Sequence, residues 1–412
     1  MGRPFASIVV SFMVVACAQA EQTVPSASAS ADTSPVAAPA CSNSTFTCAP
    51  AAAGGTPMPT PTPVAGVLNP HFGIIYSGTH RDVGTGTPPL VRREGEASTA
   101  LGELAPSVPY RNAFYGTVSP DGHRAVYFAQ PPNEPWGLYL LDGARPNEQR
   151  RLATIPGEIP YGRPVWAADG GGVAFVADQP DQTYQNAHPN YAAIRLLDLA
   201  TLNVTELARA TDRSQYALVG WDRTTSTLAA VNSPDPFAPA PRPAATYVVF
   251  SPTGRRTTPM EDLAYDQAAP NGRDVIGIRC SAGSGCSLWT WTLGDFEGRV
   301  EHKIGAGLSL GLAGFRPGSR DIGLTVSELA GPPASRVALW SPEAGLRIVY
   351  RLGDGLPGAV LFRADGSALI VALQPNEAVV VDLRTGVVSP LPQPTPSVPN
   401  DFRVLSGSIA LD

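Results

Sequence analysis

Lysine is almost missing from this chain. Of 29 basic residues a single one is lysine, Lys303, and the rest are arginine. Schiff-base or lysine-nucleophile chemistry is therefore confined to one position. Charge is sparse as well, at 16% of residues with a formal net charge of -6, where soluble domains average about a quarter charged. Arginines adjoin only as the pairs Arg92-Arg93, Arg150-Arg151 and Arg255-Arg256. No basic stripe exists, so the electrostatic footprint of nucleic-acid binding is lacking. The five histidines (His71, His80, His123, His188, His302) are scattered, with no second ligand at metal-site spacing. The segment Asp178-Gln179-Pro180-Asp181 holds two carboxylates but not the spacing of a calcium loop, and reads as a solvated turn. No cofactor is expected. No stretch carries an apolar stripe of 3.6-residue period at helical length.

Two catalytic patterns occur and fail on context. Gly307-Leu308-Ser309-Leu310-Gly311 fits the nucleophile elbow, but a strand pattern follows it and no histidine lies beyond His302. Gly353-Asp354-Gly355-Leu356-Pro357-Gly358 fits a dinucleotide loop, but opens into the strand-like Ala359-Val360-Leu361-Phe362 rather than a helix.

What the chain does have is a repeat. Ser119-Pro120-Asp121-Gly122 precedes the alternating run His123 to Phe128, and degenerate copies follow at Ala168-Asp169-Gly170, Trp221-Asp222-Arg223, Pro270-Asn271-Gly272, Arg316-Pro317-Gly318 and Ala364-Asp365-Gly366. From Asp121 the steps to Asp169, Asp222, Asn271, Gly318 and Asp365 are 48, 53, 49, 47 and 47 residues. A fixed period of this size marks a repeat architecture. Proline presets φ in the turn, aspartate bonds its own backbone, and glycine takes positive φ at no steric cost. Each unit then runs strand, loop, a strand ending in Asp (Asp142, Asp198, Asp382) and a closing strand. Four short strands per repeat make a propeller blade.

This grammar resembles the TolB-type, WD-like β-propeller repeats over residues 111–393. The resemblance is carried by the Ser-Pro-Asp-Gly turn and the strand ends Leu140-Leu141-Asp142, Leu197-Asp198-Leu199 and Val381-Asp382-Leu383. It implies an all-β propeller. Blades are placed at 64–105, 111–156, 162–211, 216–262, 264–307, 308–354 and 355–393, seven in all, with six or eight as alternatives. The tail strands around Phe402–Leu405 and Ser408–Leu411 would pair with the first blade and close the ring.

Around this single domain (67–412) lie two other segments. Residues 1–20 read as a signal peptide: Arg3, an apolar core from Phe5 to Ala16 and the small-x-small site Ala18-Gln19-Ala20. Val14-Val15-Ala16-Cys17 also resembles a lipobox, with Cys17 as the lipidated residue; both readings place the protein outside the cytoplasm, anchored or secreted. Residues 21–66 are a Pro/Ala/Ser/Thr-rich linker. Cys41 with Cys48, and Cys280 with Cys286, are spaced to form disulfides.

For function, the innermost segments Gly116-Thr117-Val118, Pro164-Val165-Trp166, Leu218-Val219-Gly220, Gly311-Leu312-Ala313 and Ala359-Val360-Leu361 carry no charge, which argues against a catalytic tunnel. Tyr110, Tyr161, Tyr216 and Tyr265 precede innermost strands, and Arg111 and Arg163 accompany two of them. They form a candidate binding face, the alternative being that each tyrosine packs against the neighbouring blade. The expectation is a non-catalytic, monomeric, protein-binding scaffold at the bacterial envelope, with no nucleic-acid partner and membrane contact only through a lipid anchor. The alternative is an extracytoplasmic glycan-binding protein or a propeller hydrolase or lyase, favoured if acids converge at the channel mouth.

Overall fold

A computed structural model describes residues 68–80, 86–95, 112–180, 189–234, 244–260, 264–269, 271–281, 285–305, 307–328, 335–352, 359–373, 377–394 and 401–412. The proposed signal segment, the linker, Cys17, Cys41, Cys48, Tyr110, Arg111 and residues 353–358 lie outside the described residues.

Seven antiparallel sheets follow one another along the chain. Blade one holds β1 (Phe72–His80) and β2 (Gly86–Arg93); blade two holds β3 (Asn112–Val118), β4 (Arg124–Gln130), β5 (Trp136–Asp142) and β6 (Arg145–Ile155). Blade three is β7 (Ile159–Trp166), β8 (Gly172–Pro180), β9 (Pro189–Asp198) and β10 (Val204–Ala210). Blade four is β11 (Gln215–Asp222), β12 (Thr227–Ser233), β13 (Thr246–Ser251) and β14 (Gly254–Pro259). Blade five is β15 (Ala264–Ala268), β16 (Asp274–Ser281), β17 (Gly285–Thr292) and β18 (Asp295–Lys303). Blade six is β19 (Leu308–Phe315), β20 (Ile322–Glu328), β21 (Ser335–Ser341) and β22 (Gly345–Arg351). Blade seven is β23 (Val360–Phe362), β24 (Ala368–Leu373), β25 (Glu377–Asp382) and β26 (Val388–Leu391). The last strand, β27 (Asp401–Ala410), returns to pair with β1, so blade one reads β2-β1-β27 among the described residues.

The innermost strands touch in the cycle β27, β3, β7, β11, β15, β19, β23 and back to β27. This is a seven-bladed β-propeller, as the repeat spacing predicts. The C-terminal strand is the closing piece, which removes the open edge a linear array would leave.

Strand periodicity explains the core. On β4, Val126 and Phe128 point to blade three, while Ala125, Tyr127 and Ala129 point back to blade one. Such strands are apolar on both faces because a blade is buried on both sides. The result is seven apolar clusters, one at each junction between neighbouring blades.

The turn motif works as its chemistry demands. Gly122 sits at φ 76°, and Asp121 Oδ1 accepts from Ser119 Oγ at 2.5 Å and from the His123 amide at 3.1 Å. The strand-end aspartates do the same for the next turn: Asp198 Oδ1 accepts from the Ala200 and Thr201 amides at 3.1 and 2.9 Å, and Asp382 Oδ1 from Arg384 and Thr385 at 3.0 and 2.7 Å. The repeated Asp is therefore a turn-former rather than a reactive group. Cys280 and Cys286 face each other on β16 and β17 and are bridged, with Cα atoms 4.0 Å apart.

Arginines stitch the blades together at their turns. Arg124 Nη2 donates to the Gly170 carbonyl at 3.2 Å, joining blades two and three. Arg316 Nε donates to the Gly366 carbonyl at 2.7 Å, joining blades six and seven. Where the ring closes, Arg363 Nη2 lies 2.7 Å from Glu94 Oε1, and both side chains are buried.

Candidate functional site

The side chains of interest gather at the end of blade three away from the Asp-Gly turns, here called its upper end. β6 of blade two leads through Gly157, at φ 69°, into Glu158 and then β7. Ile159 pairs with Asp178 of β8, and Asp178 with Ala192 of β9. Register thus brings Glu158, Asp178 and Tyr191, distant in sequence, to one corner of a sheet.

Glu158 is buried. Its Oε1 accepts from the Tyr191 hydroxyl at 2.6 Å and from Arg195 Nη2 at 2.5 Å. Arg195 lies opposite Glu206 on β10 and approaches its carboxylate at 3.8 Å. Glu206 in turn accepts two bonds from Arg209, at 2.9 and 2.6 Å. The Arg209 guanidinium lies 3.9 Å from the centre of the Tyr191 ring. The Tyr191 hydroxyl is held above its ordinary pKa first by its bond to Glu158 and then by burial.

Asp178 stands on the other face of the same sheet. Val176 and Ala174, two and four residues before it, pack towards blade four, whereas Phe175 and Ala177 pack towards blade two. Consistently, Asp178 Oδ2 accepts from Gln215 Nε2 of blade four at 3.4 Å. Desolvation by burial, with the Glu158 charge adding to it and the Gln215 bond opposing it, raises the Asp178 pKa to about 7. Within the protein neither Asp178 Oδ1 nor Glu158 Oε2 accepts a hydrogen bond, although both are buried. Buried polar atoms are nearly always satisfied, so two open acceptors at one corner need an explanation.

A cleft of about 430 Å³ opens over this corner at the junction with blade two, lined by Gln130, Pro135, Trp136, Ile155, Gly157, Glu158 and Ile159. Ile159 is 43% exposed and Tyr161 37% exposed beside it. By contrast, the void between blades one and two, under Ile75 and Val118, has room for about 10 Å³ and holds no ligand-sized space.

The arrangement corrects the sequence reading in three places. Asp178 lies buried at the end of a strand, not in a solvated turn, because its backbone pairs on both sides. The innermost strand of blade three starts at Ile159, earlier than the uncharged Pro164-Val165-Trp166 segment, and carries Arg163 with Glu158 immediately before it. The tyrosines do not share one setting. Tyr161 is exposed on β7, while Tyr216 is 1% exposed and packs edge-on to Phe250 at 6.3 Å. Tyr265 lies in β15, with its side chain outside the described residues.

No family model and no curated protein matches the chain. Solved structures do resemble it. An oligogalacturonate lyase in complex with manganese aligns at TM-score 0.53 and 14% identity, covering 81% of this chain and 86% of its own. Acylaminoacyl peptidase of Pyrococcus horikoshii aligns at TM-score 0.54 and 11% identity, over 79% of this chain and 51% of the peptidase. TolB from Acinetobacter baumannii aligns at TM-score 0.41 and 12% identity, over 69% of this chain and 64% of its own. The likeness is one of fold, and the propeller repeat read from the Ser-Pro-Asp-Gly turns holds at that level. The expectation of a non-catalytic protein-binding scaffold is overturned. The solved structures that share the fold include a lyase and a peptidase, and Glu158 and Asp178 are buried at the upper end of blade three.

Proposed function

We propose that this protein is a glycan-active propeller enzyme, a hydrolase or lyase working outside the cytoplasm, with Glu158 and Asp178 as its acid–base pair. The observation that carries the reading is Asp178: a buried carboxyl that titrates at about 7, with the Glu158 carboxylate around the same sheet edge. Catalytic acids and bases are most effective when their pKa lies near the working pH. Glu158, with its charge compensated by Arg195 and Tyr191, is the base. Asp178, protonated below neutrality, is the acid.

In hydrolysis Asp178 gives its proton to the departing glycosidic oxygen. Glu158 takes a proton from the water that adds to the anomeric carbon. In elimination Glu158 takes a proton from carbon, and the leaving oxygen departs with the Asp178 proton. Both carboxyl groups then return to their starting forms by exchange with solvent. A substrate in the cleft would meet Glu158 directly, and would have to reach over the upper edge of the sheet to meet Asp178 on its blade-four face. The apolar wall of Trp136, Ile155 and Ile159, with the Gln130 amide beside it, suits the mixed apolar and hydroxyl surface of a sugar ring.

Coverage favours glycan over peptide. The lyase is matched over 86% of its length, so in it the propeller is most of the protein, whereas the peptidase is matched over 51%. The lyase was solved with manganese. Among the described residues of this chain no three His, Cys, Asp or Glu side chains converge to hold such an ion. Export is supported by the signal-like N-terminus and by the Cys280–Cys286 bridge.

The test is a panel of plant, algal and bacterial polysaccharides. New reducing ends without ultraviolet absorbance indicate hydrolysis; an unsaturated, absorbing end indicates elimination. Glu158→Gln and Asp178→Asn are each expected to lower turnover by about 10²- to 10⁴-fold. Turnover that survives both substitutions overturns the assignment.

A further inference from the structure

The cleft beside Glu158 draws its lining from two blades. Gln130, Pro135, Trp136 and Ile155 come from blade two, while Glu158 and Ile159 come from the start of blade three. The two sides are alike in chemistry. Each puts an apolar side chain at the surface, Pro135 on one and Ile159, 43% exposed, on the other. In the connection between them, nothing lies within 4 Å of where a Cβ on Gly157 would stand, so a ligand can approach the bare backbone there. At about 430 Å³ the space falls in the range of small-molecule sites.

The polar side chains of the lining are two. Gln130 is held in place, its Nε2 donating to the Glu134 carbonyl at 3.2 Å. Glu158 is 6% exposed, and its two oxygens are used unequally. Oε1 accepts from both Tyr191 and Arg195, whereas Oε2 is buried and accepts nothing within the protein. An ionised carboxylate is an acceptor only. The group that satisfies Oε2 is therefore a donor, which a ligand hydroxyl is and a ligand carboxylate is not.

Sugars differ in how they meet such a site. A pyranose with every hydroxyl equatorial carries C–H bonds on both faces and its hydroxyls around the rim. It can lay one apolar face on Pro135 and the other on Ile159 while turning a rim hydroxyl to Glu158. An axial hydroxyl would be pressed against one of these side chains without a partner, which costs free energy. A ring carboxylate near Oε2 would set acceptor against acceptor and like charge against like charge.

We infer that the cleft selects a neutral, equatorially substituted pyranose unit and excludes uronates. The inference rests on the glycan reading above and narrows it. Elimination draws its carbon acidity from a ring carboxylate beside the carbon that loses its proton, and a neutral sugar has none. The reaction at this site is therefore hydrolysis. The glycosidic C–O bond breaks and the water oxygen bonds the anomeric carbon. Glu158 takes the water proton, and Asp178 gives its own to the departing oxygen.

The experiment is calorimetric titration of the full chain in the Asp178→Asn background, so that no ligand is consumed. The probes are β-linked oligomers of equal length built from glucose, mannose, galactose or glucuronate. The glucose oligomer is expected to bind tightest, with the mannose and galactose oligomers about ten- to a hundredfold weaker and the glucuronate oligomer about a hundredfold weaker or more. Ile159→Ala is expected to weaken the glucose oligomer about tenfold and to narrow its lead over the mannose and galactose oligomers. Glu158→Gln is expected to tighten glucuronate binding about tenfold or more; if that variant does not fold, Ile159→Ala carries the test. Equal affinity for glucose, mannose and galactose oligomers, glucuronate bound as tightly as glucose, unchanged discrimination in Ile159→Ala, or no binding of any oligomer overturns the inference. If wild-type protein cleaves the glucuronate oligomer, the selectivity is wrong and the enzyme reading stands. If the glucose oligomer binds with the expected discrimination but no glycan is ever cleaved, the enzyme reading fails and the selective cleft stands.

Discussion

Asp178→Asn should make the protein more stable in mild alkali and leave it unchanged in acid. In the unfolded chain an aspartate has its ordinary pKa of 3.8; in the fold Asp178 titrates at about 7. Between these values the native state binds the proton that the unfolded state releases, so unfolding becomes easier as pH rises. Asp178 therefore costs nothing below about pH 4, costs progressively more up to about pH 7, and costs its full amount above that. A shift of about three units, at about 1.4 kcal/mol each, is about 4 kcal/mol. The group is 7% exposed, so solvent screens little of this. Asparagine fits the same space, still accepts from Gln215, and carries no charge to desolvate. The measurement is the difference in unfolding free energy between variant and wild type, from urea titrations at steps from about pH 4 to about pH 8. The difference should start near zero and climb to about 4 kcal/mol, with a rise of several degrees in the thermal midpoint at the alkaline end. A difference independent of pH, or a variant less stable at about pH 8, would refute the buried, proton-retaining carboxyl on which the proposed acid depends. The same variant is expected to lose activity, so stability and turnover should move in opposite directions at one residue.

Other consequences can be read off directly. Arg363→Met leaves Glu94 buried and fully desolvated at the ring closure, and is expected to cost about 3–5 kcal/mol by urea titration; adding Glu94→Gln should recover part of the loss. Tyr216→Ala removes a fully buried ring between blades three and four and should cost about 3–5 kcal/mol, whereas Tyr161→Ala, on the exposed edge, should cost about 1 kcal/mol or less. Equal losses from the two tyrosines would contradict the placement of Tyr161 beside the cleft.

The blades were legible in the sequence because every signal for them is local. A Ser-Pro-Asp-Gly turn, an apolar run and a strand-ending Asp lie within one repeat, and their hydrogen bonds span two or three residues. The C-terminal strand was legible for a related reason: a leftover apolar strand has somewhere to go only if the ring has an open edge. The candidate site offers no such signal. Glu158 meets Tyr191 and Arg195 at separations of 33 and 37 residues, so no spacing pattern records the contact. Asp178 beside Pro180 and Asp181 has the composition of a turn, and composition does not show that β7 and β9 flank it.

The position of the acids also follows from how a propeller is wired. Most of a blade's residues face a neighbouring blade and are committed to the apolar clusters that hold the ring. The connection from the last strand of one blade to the first strand of the next is different: it crosses a junction and ends at the upper edge. Pro156, Gly157 and Glu158 are that connection between blades two and three. A side chain placed there can be walled by Trp136 of the preceding blade while bonding Tyr191 and Arg195 of the following one. It is buried enough to lose most of its water, yet it borders a cleft. Asp178, at the end of the adjacent strand, is desolvated by blade four in the same way. Asp178 is perturbed at such a corner because packing excludes water from it, which is the condition acid–base chemistry needs.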